Sequence, residues 1–220
     1  MSLNKKQQES YLLLFLGGRM KRNTSGKNRP VCSISILQTI PCAVLVPLVW
    51  KDGEECILLE VRSKQLTWQP HDICFPGGKI ESLDISPEAA AVRETSEELG
   101  ISLEHIHIER PLDYVESPIG VTVYPFVAHV DTLVWQPNKE EVEEILVVPI
   151  SVLMQNPPQV ATFYLQGKPD QQAQEILQLP DEWQPRTSYY VKIFTYKEYK
   201  IWGITAYILD NFMVSRAIIT

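Results

Sequence analysis

Ser86-Pro-Glu-Ala-Ala-Ala-Val-Arg-Glu-Thr-Ser-Glu-Glu-Leu-Gly100 reads as a helix with both of its ends written into it. Ser86 is a natural N-cap, Pro87 suits the first helical position, and Gly100 stands where a left-handed residue closes a helix. Within Pro87–Leu99, Glu94, Glu97 and Glu98 fall at i, i+3 and i+4, so three carboxylates are expected on one face. Val92 and Leu99, flanked by Ala89, point the other way. The cluster works against its own helix. Like charges at this spacing cost a few tenths of a kcal/mol per pair, and anions in the C-terminal half oppose the macrodipole by roughly 0.3–1 kcal/mol each. Only Arg93 is near enough in sequence to compensate. The spacing by itself favours a solvated acidic face, and it is also compatible with a hard divalent cation that needs several carboxylate oxygens on a rigid frame.

The neighbourhood separates the two. Gly77 and Gly78 precede Arg93 by 16 and 15 residues, at the mouth of the loop entering the helix. Glycines there let backbone groups approach a metal or a phosphate closely. Taken whole, Gly78-x6-Ile85-x7-Arg93-Glu94-Thr95-Ser96-Glu97-Glu98-Leu99-Gly100-Ile101 resembles the Nudix box, and on it the chain is identified as a member of the Nudix hydrolase superfamily. The Arg-Glu-x-x-Glu-Glu-x-Gly core is complete. The upstream half carries one residue more than the usual spacing, and Glu81 and Asp84 are the acids nearest to the box's earlier glutamate. The resemblance implies an α/β (α+β) fold, a mixed β-sheet sandwiched between helices.

Three further segments resemble the coenzyme A pyrophosphatase branch of that superfamily. They are Leu58-Leu59-x-x-Arg62-Ser63 with Phe75-Pro-Gly-Gly78 following, Ser117-Pro118-Ile-Gly120-Val-x-Val-x-Pro125, and Ile201-Trp202-Gly203-Ile204-Thr205-Ala206. The branch signature has Thr, Arg and Gly where this chain has Glu60, Thr67 and His71. A guanidinium is a natural partner for a substrate phosphate, so the absent Arg is the weightiest departure.

The resemblance implies hydrolysis of a nucleoside diphosphate linked to another group, with coenzyme A or its derivatives as substrate. The products would be 4′-phosphopantetheine and adenosine 3′,5′-bisphosphate. ADP-ribose, a dinucleotide or an oxidised nucleotide is the alternative substrate, and a non-catalytic nucleotide sensor the alternative of another class. Glu94, Glu97, Glu98 and the carbonyl of Gly78 would hold Mg²⁺ or Mn²⁺. Glu97 and Arg93 belong to the catalytic set, with Arg93 bracing helix and loop through a carboxylate. The general base is expected from Glu140-Glu-Val-Glu-Glu-Ile-Leu-Val-Val-Pro149, with Glu144 ahead of Glu141. Arg62, Ser63, Gly77, Lys79 and His71 are the expected substrate contacts. A homodimer is left open.

The rest of the chain sets bounds. Its 220 residues are 45% hydrophobic and 21% charged, with five Trp, nine Tyr and six Phe, enough for a sizeable core. A net charge of −7 without a concentrated basic face excludes nucleic acid as the expected partner. The cysteines, at 32, 42, 56 and 74, include no CxxC pair, and three sit in apolar runs, so buried thiols in a reducing, cytoplasmic setting are expected. No stretch approaches the roughly 18 apolar residues of a membrane span. Tyr11–Leu16 is too short for a signal segment and has no small-residue cleavage site after it. Residues 1–30 are expected to form a short helix and a basic linker, ahead of a single domain over 31–220. Strands are expected at Cys42–Trp50, Cys56–Arg62, Ile106–Ile108, Val121–Val130, Ile145–Val148 and Tyr189–Tyr196. A polar excursion over 166–188 and a final helix over Thr205–Ser215 complete the reading.

Overall fold

The structure, a computed structural model, describes residues 39–167, 169–178 and 186–219, and the expected N-terminal helix and linker lie outside them. Two long strands set the frame, β1 (Ile40–Lys51) and β2 (Glu54–Arg62). The turn between them places Asp52 and Gly53 at φ of 52° and 87°. Positive φ at both positions gives a turn whose twist matches an antiparallel pair, and Lys51 accordingly stands opposite Glu54.

Short strands β3 (Ile73–Cys74) and β4 (Gly77–Lys79) then lead into α1 (Pro87–Leu99). A 3-10 turn, β5 (Ile106–Pro111), β6 (Val115–Ser117), β7 (Val121–Val130) and β8 (Val142–Pro149) follow. The chain ends in α2 (Ile150–Gln155), β9 (Gln159–Gln166), α3 (Gln171–Leu177), β10 (Arg186–Tyr196), β11 (Tyr199–Trp202) and α4 (Gly203–Ile219). The expected strands and final helix are all present; Val121–Val130 agrees at both ends, and the others extend beyond the expected bounds at one end or both. Part of the 166–188 excursion is helix α3 and the opening of β10.

Strand β1 is the hub of an eight-stranded mixed sheet. It pairs antiparallel with β2 and β4 and parallel with β7. Strands β3 and β8 add to β2, and β5 and β6 to β7. A separate sheet runs β9–β10–β11.

The apolar runs of β1 and β2 do not alternate with polar residues because both faces of the sheet are covered. Ala43, Leu45 and Val49 join Cys56 and Leu58 on one face, packed with Ala90, Ala91 and Leu99 of α1. Val46, Leu48, Ile57, Leu59 and Val61 fill the other face with Ile208, Leu209 and Phe212 of α4. Each fully buried side chain of this size contributes roughly 1.5–3 kcal/mol. This two-sided phase also fixes the site, because along β2 residues 56, 58 and therefore 60 face α1.

Helix α1 is capped as its sequence reads. Ser86 Oγ accepts from the Ala89 N–H at 3.1 Å. Gly100 is left-handed at φ 62°, and its N–H donates to Ser96 O. A Cβ there would lie 2.2 Å from Gln136 O, so backbone conformation and close approach both require glycine. None of the described helices is long and apolar enough to cross a membrane.

Candidate active site

The two glycines before α1 exist to bring backbone against carboxylate. Strand β4 lies along β1, with Gly77 opposite Val44 and Gly78 opposite Ala43. Gly77 has φ 144°, and a Cβ on it would sit 2.3 Å from Ala43 O. Its N–H donates to Glu98 Oε2 at 2.7 Å. At Gly78 a Cβ would lie 2.6 Å from the Glu94 carboxyl carbon. Any side chain there would fill the cradle that Glu94 occupies.

The three glutamates of α1 do not share one exposed face. Glu98 turns inward with Ala91, Thr95 and Leu99 and is only 6% exposed, whereas the Glu97 side chain is 60% exposed. Glu94 lies between them, with its side chain 19% exposed. The buried stripe runs through Ala90 and Ala91 rather than Ala89 and Val92, which rotates Glu98 into the sheet.

There it meets a residue that sequence reasoning passed over as a site residue. Glu60, in the middle of β2, is 1% exposed on the α1 side of the sheet. The Cys74 thiol donates to its Oε1 at 3.2 Å, and its Oε2 has no partner. The one available signal was an acid inside the apolar run Ile57-Leu-Leu-Glu-Val61.

Burial and mutual repulsion dominate the electrostatics. Burial, then the Glu60 charge, push Glu98 up to about 9 against the pull of the Gly77 N–H. Burial pushes Glu60 up to about 7, with the Cys74 hydrogen bond and Arg62 opposing and Glu141 adding to the rise. Glu94 is raised by burial and by Glu97 and Glu141, and lowered by Arg93.

Arg93 braces the cluster from outside. Its Nε and Nη2 grip both oxygens of Asp84 at 3.0 Å, and it also pairs with Glu94 at 2.9 Å and Glu97 at 3.2 Å. Asp84 in turn accepts the Glu81 N–H at 2.8 Å. Of the two acids noted before α1, Asp84 therefore supplies the carboxylate that ties loop to helix, and Glu81 only a backbone donor. The guanidinium holds Asp84 below the usual carboxylate range.

The acids of the 140–144 stretch divide. Glu144 is not brought to the cluster. It stands opposite Val61, whose side chain faces the α4 side, and its carboxylate accepts from Tyr199 Oη at 2.7 Å. Strand alternation puts the neighbour Ile145 opposite Glu60 instead. Glu141, before β8, raises Glu60, Glu94 and Glu98 alike, and its carbonyl accepts the Ser63 N–H at 2.8 Å. The phase of β8 thus turns Glu144 away from the helix carboxylates, while Glu141 lies near them.

Among the expected substrate contacts, Ser63 is buried beside Glu141, and Arg62 donates to Trp68 O at 3.3 Å while its buried Nε has no partner. Lys79 lies exposed on β4. His71 is exposed, at φ 61°, with Nδ1 3.6 Å from Glu143, and does not reach the cluster. Arg62 and Cys74 connect the cluster to a cavity of about 490 Å³ between the two sheets. Its wall includes Phe163, Tyr189 and Trp202, whose rings stand 5.8–5.9 Å apart in sequence of contact, together with Asp72, Glu116 and Ile119.

The donor set fits a hard divalent cation. It is all oxygen, it repels itself when unneutralised, and Gly78 leaves the space beside Glu94 that any Cβ would take. Among the described residues no three His, Cys, Asp or Glu side chains already converge on one point, and Arg93 holds an oxygen each of Glu94 and Glu97.

A pH dependence follows from the raised carboxyls. Protonated Glu60 and Glu98 favour the fold fully below the unfolded glutamate value near 4.5, and that contribution is lost as pH rises through about 7 and about 9. In chelator, the thermal midpoint should fall by several degrees between pH 5 and pH 9, and Mn²⁺ should reverse most of the fall at the alkaline end. Scanning calorimetry with and without metal measures it, and a midpoint rising across that window would contradict the buried-carboxyl account.

A glycine-cradled acidic helix on a mixed sheet defines a protein class, and the chain belongs to the Nudix family: the NUDIX domain model matches residues 40–170, more than half of it. Among curated proteins it is similar to the mitochondrial coenzyme A diphosphatase NUDT8 of Homo sapiens, at 33% identity over 172 residues, 76% of this chain and 66% of that one. It is also similar to the peroxisomal coenzyme A diphosphatase NUDT7 of Mus musculus, at 34% identity over 113 residues, 51% of this chain and 48% of that one. The matches thus span about two thirds and about half of the relatives' lengths. Among solved structures, a C. elegans Ap4A hydrolase aligns at 22% identity with a TM-score of 0.44, covering 53% of this chain and 85% of that one.

Proposed function

We propose that the chain hydrolyses the diphosphate of coenzyme A or its derivatives, giving 4′-phosphopantetheine and adenosine 3′,5′-bisphosphate, with Mg²⁺ or Mn²⁺ as cofactor. The observation that carries the reading is the carboxylate cluster built against the Gly77–Gly78 backbone beside an aromatic-walled cavity. The two diphosphatase relatives support the choice of substrate.

Glu94, Glu97, Glu98 and the Gly78 carbonyl would hold the metal. A bound divalent ion supplies neutralisation of the bridging phosphates and a lowered pKa for water. Glu141 takes the proton of the attacking water, whose oxygen bonds to one phosphorus as the P–O bond of the anhydride breaks, so that each product keeps one of the two anhydride phosphorus atoms and the adenosine product also retains its 3′-phosphate. Arg93 keeps helix and loop in register through Asp84. Arg62, with its unpartnered Nε, and Ser63 meet the substrate where the cluster opens to the cavity. Lys79 is left as a rim contact at the exposed edge of β4.

The cavity suits one end of the substrate better than the other. Its apolar and aromatic wall accepts a neutral pantetheine arm, while Asp72 and Glu116 repel the dianionic 3′-phosphate at the adenosine end. The free thiols of Cys42, Cys56 and Cys74 agree with a reducing compartment, and we infer the cytoplasm.

Product analysis by mass spectrometry tests the substrate. The protein is incubated with coenzyme A, ADP-ribose, NADH and 8-oxo-dGTP in turn, each with Mg²⁺ or Mn²⁺. Metal-dependent release of 4′-phosphopantetheine in excess over other products is expected. Faster turnover of ADP-ribose would overturn the coenzyme A reading and keep the hydrolase.

A further inference from the structure

Glu60 has no place in the branch signature, which carries threonine at that position. A threonine on this face needs a single hydrogen bond, whereas a carboxylate in the same place is costly. An ionised group removed from water loses several kcal/mol unless a partner replaces the lost solvation. The structure supplies half of that replacement. Oε1 takes the Cys74 thiol, a weak donor, and Oε2 is left without any partner. Arg62, two residues along the same strand face, does not complete it, because its Nη2 goes to the Trp68 carbonyl and its Nε also has none.

The orphaned oxygen lies on the side of the sheet that α1 covers, where Glu98 is the buried carboxylate and Gly77 satisfies only Glu98 Oε2. Glu60 and Glu98 are thus two buried carboxylates close enough for the charge of Glu60 to bear on Glu98, and Glu60 Oε2 is a buried oxygen that no group among the described residues satisfies. A shared divalent cation satisfies both at once. Solvent does not, since Glu60 is 1% exposed.

We propose that Glu60 is a further ligand of the divalent cation in this chain, its Oε2 joining Glu98 and adding a carboxylate from the sheet to those of the helix. The inference rests on the metal-dependent reading above. Its consequence is a site with one more negative charge than the box alone provides, and so a tighter hold on the ion in the absence of substrate.

Direct Mn²⁺ binding to the full chain, without substrate, tests it. Wild type, Glu60→Thr, Glu60→Gln and Glu98→Gln are stripped of metal and titrated with Mn²⁺, reading bound ion by electron paramagnetic resonance and by calorimetry. Both Glu60 variants are expected to bind Mn²⁺ about 10–100-fold more weakly. Their metal-free thermal midpoint should rise, because a neutral side chain replaces a buried carboxylate, and the gain in midpoint on adding Mn²⁺ should shrink. The near-isosteric Glu60→Gln guards against a packing defect in Glu60→Thr. Wild-type Mn²⁺ affinity in folded Glu60→Gln, with affinity lost in Glu98→Gln, would overturn the role of Glu60 alone. Unchanged affinity in all three variants would overturn the metal site of the proposed function along with it.

Discussion

The Glu97→Gln enzyme is expected to turn over at least about 10³-fold more slowly than wild type, roughly 4 kcal/mol of lost transition-state stabilisation, while keeping its fold. The side chain is 60% exposed and, among the described residues, its ion pair is to Arg93 at 3.2 Å. Arg93 retains Asp84 and Glu94 when that pair is removed, so the helix–loop brace stays. An exposed pair of this kind contributes little to stability, within about 1 kcal/mol, and glutamine also relieves repulsion with Glu94. Single-turnover kinetics alongside a melting curve measures both quantities. A near-normal rate in a folded variant would remove Glu97 from the metal-binding set. A collapsed melting curve would instead make the residue structural, against its exposure.

The second large effect separates two glutamates three positions apart. Glu141→Gln should lower kcat by about 10²–10⁴-fold, the span that general-base catalysis supplies, with little change in KM. Glu144→Gln should leave kcat within about twofold. It removes the carboxylate charge that accepts from Tyr199 Oη and raises the Tyr199 phenol, so a tyrosine titration should fall back toward the ordinary value near 10. The opposite ranking of the two variants in kcat would return the base to Glu144 and would require β8 to pair in another phase. Measuring kcat and KM separately is essential, since a residue that only holds substrate would move KM.

Helix α1 was legible almost to the residue, because Ser86, Pro87 and Gly100 carry local instructions that no tertiary contact overrides. The same holds for the β1–β2 turn, where Asp52-Gly53 fits a geometry few other pairs reach. The site was legible as a set of residues and less so as an arrangement. Glu60 and Glu144 look alike in sequence, each an acid beside apolar residues. What parts them is strand phase, since Glu60 pairs with Ile145 and Val61 with Glu144, placing the two acids on opposite faces. Phase depends on which strand lies alongside, and that is a long-range fact. The inward turn of Glu98 has a similar origin. Helical spacing gives its angle to Glu94 and Glu97, but the docking of Ala90 and Ala91 on the sheet decides which part of that arc is buried. The sheet β9–β10–β11 was seen only through β10, because β9 is largely exposed and its sequence, Gln159-Val-Ala-Thr-Phe-Tyr-Leu-Gln166, lacks a strong apolar alternation.

The parallel pairing of β1 with β7 bears on how the chain is made as well as how it is held. Leu48 lies beside His129, so the central seam joins residues 81 positions apart, and no neighbour in sequence can substitute. During synthesis at roughly 5–20 residues per second, β1 and β2 emerge first as a hairpin and then wait on the order of 4–16 seconds for the strand that closes their open edge. Through that interval Leu45, Val46 and Leu48 stand beside an unpaired backbone edge, the condition in which nascent chains recruit holding chaperones or cross-pair with one another. Changes in the 80–120 region that delay its translation would therefore lower the yield of folded protein without touching a single contact of the finished sheet.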